Sequence, residues 1–247
     1  MSNNPGPRAP HPYYQDDDVT LYHGDALDIL PTLGDRSVTC VITDPPYTER
    51  THTNARKRVL GNTIRDGIPE FAAFTTEQLV YTLTELGRIT DGWVIATLDY
   101  RHAFQLETNP PEGLTLKRVG VWVKTNATPQ LSGDRPAHGW EAIVYLHRTD
   151  VRSRWNGGGR HGNYYLPTNS TNEGHPAAKP LPLIADLVRK FTNPVDTILD
   201  PYAGSGTTLR AAKDEGRHAI GIELDERYCE IAARRLSQDA LFGQVAT

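Results

Sequence analysis

The order in which apolar periodicity switches along this chain leaves few folds open to it. In the last third, the helix-spaced run "LPLIADLVRKF" (181–191) leads to a short apolar segment, "DTILD", then a glycine turn, "PYAGSG", and a second helical run, "TTLRAAKDEG". The pattern repeats at once, with the apolar "HAIGIEL" followed by "DERYCEIAARRL". Short buried strands joined through helices lie parallel, because each helix carries the chain back to the edge where the previous strand began. Earlier segments agree. "VTLYHGDALDILPTL" reads as strand, turn and helix start, and "SVTCVITDPPY" as a strand apolar enough to be covered on both faces. "TTEQLVYTLTELGRIT" has helical spacing behind a capping threonine, and "GWVIATLD", "KRVGVWVK" and "EAIVYLHR" read as three further strands. The expected architecture is α/β with a mostly parallel sheet, one domain over residues 18–240. A disordered arm rich in Pro, Asn and Asp (1–17) precedes it, and polar loops interrupt it at about 48–69 and 148–174.

Composition narrows the functions. With 38% hydrophobic and 23% charged residues, the chain reads as an ordinary globular protein. No apolar run approaches the roughly 20 residues of a membrane helix. The first residues lack the basic-then-apolar layout of a signal peptide, so a cytoplasmic location and no membrane partner are expected. Two cysteines, Cys40 and Cys229, give no disulfide framework, which fits a reducing compartment. Nine histidines occur, but no His/Cys cluster has ligand spacing, so no metal is expected. A net charge of −4 argues against nucleic-acid binding through bulk charge and leaves only local basic patches.

Two strand-end turns carry the chemistry. "ILDPYAGSGTTLRAA" (198–212) is a strand, a glycine turn and a helix start, where Gly204 and Gly206 let a ligand approach the backbone and the helix N-terminus favours an anion. It is neither the dinucleotide fingerprint, since Leu209 stands where the third glycine belongs, nor a phosphate-binding Lys-Ser/Thr loop. Glu223, at the end of the next strand, is placed to accept both ribose hydroxyls of an adenosine-type ligand; a helix-capping acid is the plainer alternative. The other turn, "VITDPPY" (41–47), ends a buried strand with a carboxylate, two rigid prolines and an aromatic ring.

Taken together, "DPPY" (44–47), "HPAAKP" (175–180) and "DPYAGSGTT" (200–208), in that order, resemble the β group of the DNA amino-methyltransferases, a circularly permuted layout. The likeness runs from about Leu21 to Leu236. It implies a Rossmann-like methyltransferase fold, a seven-stranded sheet in the order 3-2-1-4-5-7-6 with the last-added strand antiparallel and helices on both faces. It implies S-adenosyl-L-methionine as cofactor, S-adenosyl-L-homocysteine as product, and no metal. On that map Asp25 and Ala26 lie beside the adenine of the cofactor. Asp200, Tyr202, Ala203, Gly204, Ser205, Gly206 and Thr207 hold its methionine half, with His175, Pro176 and Lys179 lining the same end. Asp25 and Lys179 equally read as plain helix-start residues.

The same resemblance gives the first turn its role. The Asp44 carboxylate and Pro45 carbonyl accept hydrogen bonds from an exocyclic amine, favouring a pyramidal, electron-rich nitrogen, while Pro45 and Pro46 hold the backbone rigid. Tyr47 offers a π face to a base flipped out of double-stranded DNA; stacking returns roughly 1–3 kcal/mol against a flipping cost of a few. Candidate DNA contacts are Arg50, Arg56, Lys57 and Arg58 in the first loop, and Arg154 and Arg160 in the second, both loops being expected to flank the chemistry. The second loop, with Trp155, Tyr164 and Tyr165 interleaved, is the candidate target-recognition region. Trp122 and Trp140 read either as base pocket or as core. Aspartate before PPY is more usual in adenine enzymes, so adenine N6 is the expected target and cytosine N4 the alternative. An RNA methyltransferase and a catalytically silent binding module stand behind these. A homodimer and a cognate restriction endonuclease are partners the sequence leaves open.

Overall fold

The computed structural model describes residues 10–46, 75–168 and 178–238. Its strands are β1 (Tyr14–Gln15), β2 (Val19–His23), β3 (Val38–Thr43), β4 (Thr90–Leu98), β5 (Leu114–Lys124), β6 (Trp140–Arg148), β7 (Tyr164–Leu166), β8 (Thr197–Asp200) and β9 (His218–Glu223). Its helices are α1 (Ala26–Ile29), α2 (Thr76–Ile89), α3 (Tyr100–Thr108), α4 (Leu181–Phe191), α5 (Thr207–Asp214) and α6 (Glu226–Ser237). The strands form one sheet in the order β1-β2-β9-β8-β3-β4-β6-β5-β7. Every neighbouring pair is parallel except those made by β1 and β6. Without its two short edge strands, the order β2-β9-β8-β3-β4-β6-β5 is the seven-stranded arrangement expected, with β6 as the antiparallel member.

Period-two alternation explains why the central strands are apolar throughout. On β3, Cys40 and Ile42 join one buried cluster and Val41 the other, and a register shift between Val38 and Cys40 puts Val38 with Val41. The first cluster packs the sheet against Leu183, Leu187 and Val188 of α4, Leu209 and Ala212 of α5, and Cys229 and Ala232 of α6. The second packs the opposite face against Ala26 of α1, Leu79, Leu83 and Leu86 of α2, and Ala103 and Leu106 of α3. Each face of the sheet thus has its own helical layer, and a strand between two such layers needs apolar residues at every position. Helix α2 starts as the sequence suggests: Thr75 accepts from the Gln78 N–H, and the Gln78 side chain accepts from the Thr75 N–H, a reciprocal cap. Both cysteines are buried thiols, on β3 and α6. Among the described residues no helix is long and apolar enough to cross a membrane.

Three elements depart from the sequence reading. The arm does not stay free as far as residue 17: Tyr14 and Gln15 pair with β2. Asp16 pins them there, accepting from Lys213 Nζ at 2.5 Å, Tyr14 Oη at 2.6 Å and the Val19 N–H at 2.7 Å. These hydrogen bonds outweigh desolvation and hold the Asp16 carboxyl down at about 2. Residues 100–108 form α3 behind an Asp99 cap. Within the second polar loop, β7 extends the sheet along the outer edge of β5.

Candidate active site

The ends of β2, β9, β8, β3 and β4 and the start of antiparallel β6 meet at one edge of the sheet. Strand order reverses there between β8 and β3, which is where open α/β sheets place their ligands. The glycine turn after β8 is built mainly from backbone. Gly204 and Gly206 take the left-handed conformation, at φ 52° and 80°. A Cβ on Gly206 would lie 2.9 Å from the Ala232 Cβ of α6, so the position demands glycine on two counts. Leu209, at the place of the missing third glycine, fits because its neighbour on β9 is Gly221, where a Cβ would come within 2.6 Å of the leucine. The small residue that permits close helix–sheet packing has moved from the helix to the strand.

Glu223 fastens this turn from β9. Its Oε2 accepts from the Gly204 N–H at 2.7 Å and its Oε1 from the Asp225 N–H at 2.8 Å. The cap of α6 is Asp225, not Glu223, which removes the plainer of its two readings. Burial pushes the Glu223 carboxyl up. Asp25 follows β2, whose His23 pairs with Glu223, so the two acids stand at neighbouring strand ends. Asp25 does cap α1, through the Leu27 N–H at 2.8 Å, with its side chain exposed at the site edge. Asp200 is buried beneath the turn, where its Oδ1 accepts from Thr43 Oγ1 at 2.8 Å and the Tyr202 N–H at 3.1 Å. Desolvation pushes its carboxyl up to about 6, against the lowering pull of hydrogen bonds from Thr208, Thr43 and the Tyr202 N–H.

The turn after β3 is built from side chains. One oxygen of Asp44 accepts from the Thr97 hydroxyl of β4 and the other from Lys179 Nζ at 2.5 Å. Lys179 also lies 3.3 Å from Glu141 of β6, whose second oxygen holds Lys124 of β5 at 2.5 Å. Burial works against the Lys179 charge, but Asp44 and Glu141 outweigh it and hold the ammonium above the usual lysine value. Lys179 is therefore no solvated helix-start lysine; it is a buried cation shared by two carboxylates. Nearby, Tyr100, His138 and Trp140 form a cluster with ring centroids 5.7–6.3 Å apart. Trp140, next to Glu141 in sequence, is half-buried against the second core cluster, whereas Trp122 is fully buried in the first, its Nε1 donating to the Leu166 carbonyl at 2.9 Å.

Thr97, Glu141 and Lys124 were not singled out from sequence. The one available signal was an acid opening the apolar run "EAIVYLHR". Tyr47, Arg50, Arg56, Lys57, Arg58, His175 and Pro176 lie outside the described residues. The second basic loop does not flank this edge where Arg154 and Arg160 stand. Trp93, four residues or ~13 Å of strand before Thr97, donates to the Arg154 carbonyl at 2.6 Å. Asn156 likewise binds the far end of α4, through the Lys190 and Thr192 carbonyls at 2.7 and 2.9 Å. Because β6 is antiparallel, a loop leaving its end begins at the edge opposite Asp44. Strand β7 returns toward it, bringing Leu166 beside Lys124. Among the described residues no group of three or more His, Cys, Asp or Glu could hold a metal ion.

A permuted doubly wound sheet, a glycine turn tied down by an acid on the next strand, and an Asp-Pro-Pro turn beside it define the class of S-adenosylmethionine-dependent methyltransferase folds. Residues 38–234 match the N6/N4 methyltransferase family model, described as DNA methylase, and the chain belongs to that family of DNA amino-methyltransferases. It is 29% identical over 262 residues to the type II methyltransferase M.XycI of Xanthomonas campestris pv. cyanopsidis, covering 88% of this chain and 87% of that one. It is 28% identical to M2.LlaDCHI of Lactococcus lactis subsp. cremoris, with 94% of each covered. Among solved structures, the fold is similar to the M1.HpyAVI–SAM complex at TM-score 0.65 and 24% identity, covering 89% of this chain and all of that one. The cytosine-N4-specific PvuII DNA methyltransferase is similar at TM-score 0.72 and 17% identity, covering 96% and 92%.

Proposed function

We propose that this chain is a site-specific DNA methyltransferase that methylates N6 of an adenine turned out of double-stranded DNA, using S-adenosyl-L-methionine. The observation that carries this reading is Asp44, a carboxylate fixed from both sides by Thr97 and Lys179 beside the glycine turn. The turn fits the cofactor: two residues without Cβ open it, a helix N-terminus faces it, and Asp25 and Glu223 flank it at paired strand ends. Asp25 and Ala26 would take the adenine side. Glu223 would take the ribose, since a carboxylate oxygen that accepts one N–H keeps capacity for another donor. Asp200, Tyr202 and residues 203–207 would take the methionine half, with His175 and Pro176 completing that end. Bound there, S-adenosyl-L-methionine supplies a methyl group already activated on a sulfonium.

The remaining work falls to this chain's own residues. Asp44 and the Pro45 carbonyl accept from the target amine, holding its lone pair out of the ring. Lys179 and Thr97 keep Asp44 in one orientation, so that little reorganisation accompanies the reaction. Tyr47 and the Tyr100–Trp140 cluster offer faces for the extruded base. Contacts to the duplex are assigned to Arg50, Arg56, Lys57 and Arg58.

The test is incubation with radiolabelled S-adenosylmethionine and unmethylated duplex DNA, followed by nucleoside analysis. Label in N6-methyldeoxyadenosine supports the full reading. Label in N4-methyldeoxycytidine keeps the reaction and overturns the base. Label that appears only when RNA replaces DNA overturns the substrate.

A further inference from the structure

The basic and aromatic loop that stands away from Asp44 encloses a cavity of about 420 Å³ at the other end of the sheet, within the roughly 300–1,000 Å³ of small-ligand sites. Its floor is aromatic. Phe191 lies at its centre, 5.4 Å from Tyr145 in a stacked pair, 5.1 Å from Trp93 and 5.5 Å from Trp155. Lys117, Arg118 and Arg160 stand around it, and among the described residues no acidic one lines it. None of these three cations has a carboxylate partner among the described residues. Asp186, whose field reaches Tyr145, is itself tied to Lys190 at 2.6 Å. The sheet is irregular here as well. The β5–β6 register slips between Leu116 and Arg118, leaving Lys117 as a bulge, and β7 covers β5 only from Trp122 onward. Four consecutive β5 residues, 117–120, therefore line the cavity.

We propose that this cavity binds a nucleotide unit, a planar base against the Trp93–Phe191–Trp155 floor with its phosphate among Lys117, Arg118 and Arg160. Three cations clustered at one cavity suit a multivalent anion, the rings suit a π-faced group, and open backbone groups on the bulged edge suit the polar rim of a base. An added peptide strand fits less well. A Cβ on Gly120 would lie 2.1 Å from the Gly162 carbonyl oxygen, so the loop already roofs the edge beyond residue 119. The nucleotide has two sources, free in solution or at an exposed end of a DNA strand.

The experiment is quenching of intrinsic tryptophan fluorescence in the full chain, with saturating S-adenosylhomocysteine present to occupy the cofactor site. Thymidine 5′-monophosphate, a short single-stranded oligonucleotide and inorganic phosphate are titrated separately. Saturable quenching by the nucleotide identifies a free ligand, and quenching by the oligonucleotide alone identifies a strand end; either supports the site when a Trp140→Phe background retains it. The exposed-residue double variant Arg118→Ala/Arg160→Ala should bind at least tenfold more weakly with unchanged melting temperature and unchanged methyl transfer. Absence of quenching by either nucleic-acid probe overturns the proposal, as does undiminished binding in the double variant. Phosphate that competes as strongly as the nucleotide overturns the base seat.

Discussion

Strands β8 and β3 are neighbours that end at the same edge of the sheet, yet the turns that follow them are made of different materials. After β8, left-handed glycines shape the backbone and one acid from the adjacent strand fastens it. After β3, the backbone is stiffened by prolines, and what fixes the carboxylate is a set of side chains from β4, from β6 and from the segment leading into α4. On the proposed function, the first turn meets a ligand whose charges are fixed. The second, on the same proposal, holds one oxygen pair steady toward an amine whose charge changes during reaction. The difference teaches that binding and chemistry should separate under mutation.

Asp44→Ala offers the largest effect. Methyl transfer should fall on the order of a thousandfold, as when a preorganised partner of the transition state is lost, with cofactor affinity retained. Single-turnover methylation beside calorimetric titration of the cofactor checks it, and parallel loss of both would erase the distinction between the turns. Gly206→Ala should do the reverse. A Cβ there meets Ala232 and forces a left-handed conformation on alanine, so stability should drop by about 2 kcal/mol and cofactor affinity with it. A thermal melt with and without cofactor reads both; an unchanged melting temperature would show that the turn tolerates more than its geometry suggests.

Glu141→Gln sharpens the comparison from the side-chain half. It keeps shape and a hydrogen bond but removes one of the two charges that stabilise Lys179, a change of about 1–2 kcal/mol. The transfer rate should fall roughly tenfold in single-turnover methylation. A variant that merely loosens the fold would lower the melting temperature along with the rate. Cofactor affinity should stay constant.

The same contrast explains what could be read in the sequence. Gly204, Gly206 and the Asp-Pro-Pro run are local signals, because each conformational demand is met by the residue that shows it. Glu223 was legible through its spacing from the turn, although its grip on the Gly204 N–H was not. The anchors of Asp44 were hidden: Thr97 lies 53 residues along the chain and Lys179 135, and no local pattern joins them. Lys124 and Glu141 became neighbours only through the β5–β6 register, which places Trp122 opposite Glu141. Arg154 and Arg160 were misplaced for a related reason. A basic loop shows its charge in sequence, but which end of a sheet it occupies depends on the direction of the strand before it. The short β1 escaped notice because it is held by Asp16, a residue that in isolation reads as part of an acidic, solvated arm.

The smallest expected effect concerns Asp200, which lies under the backbone-built turn and whose carboxyl is raised by burial. Its folded value of about 6 stands above the ordinary 3.8. A group raised on folding contributes stability that is complete below the unfolded value and is lost as pH rises through the folded one, so from this group the ligand-free protein loses stability between about pH 4 and 6. The cofactor's ammonium, if Asp200 faces it, reverses the preference by favouring the carboxylate. Cofactor affinity should then be constant above pH 7 and roughly tenfold weaker at pH 5, where about one Asp200 in ten is ionised. The cofactor-induced rise in melting temperature should grow across the same window. Asp200→Asn should flatten both curves. An affinity that stays level from pH 5 to 8 in the parent protein would remove Asp200 from the cofactor's contacts and leave it as the post beneath the turn, holding Thr43 and the Tyr202 N–H.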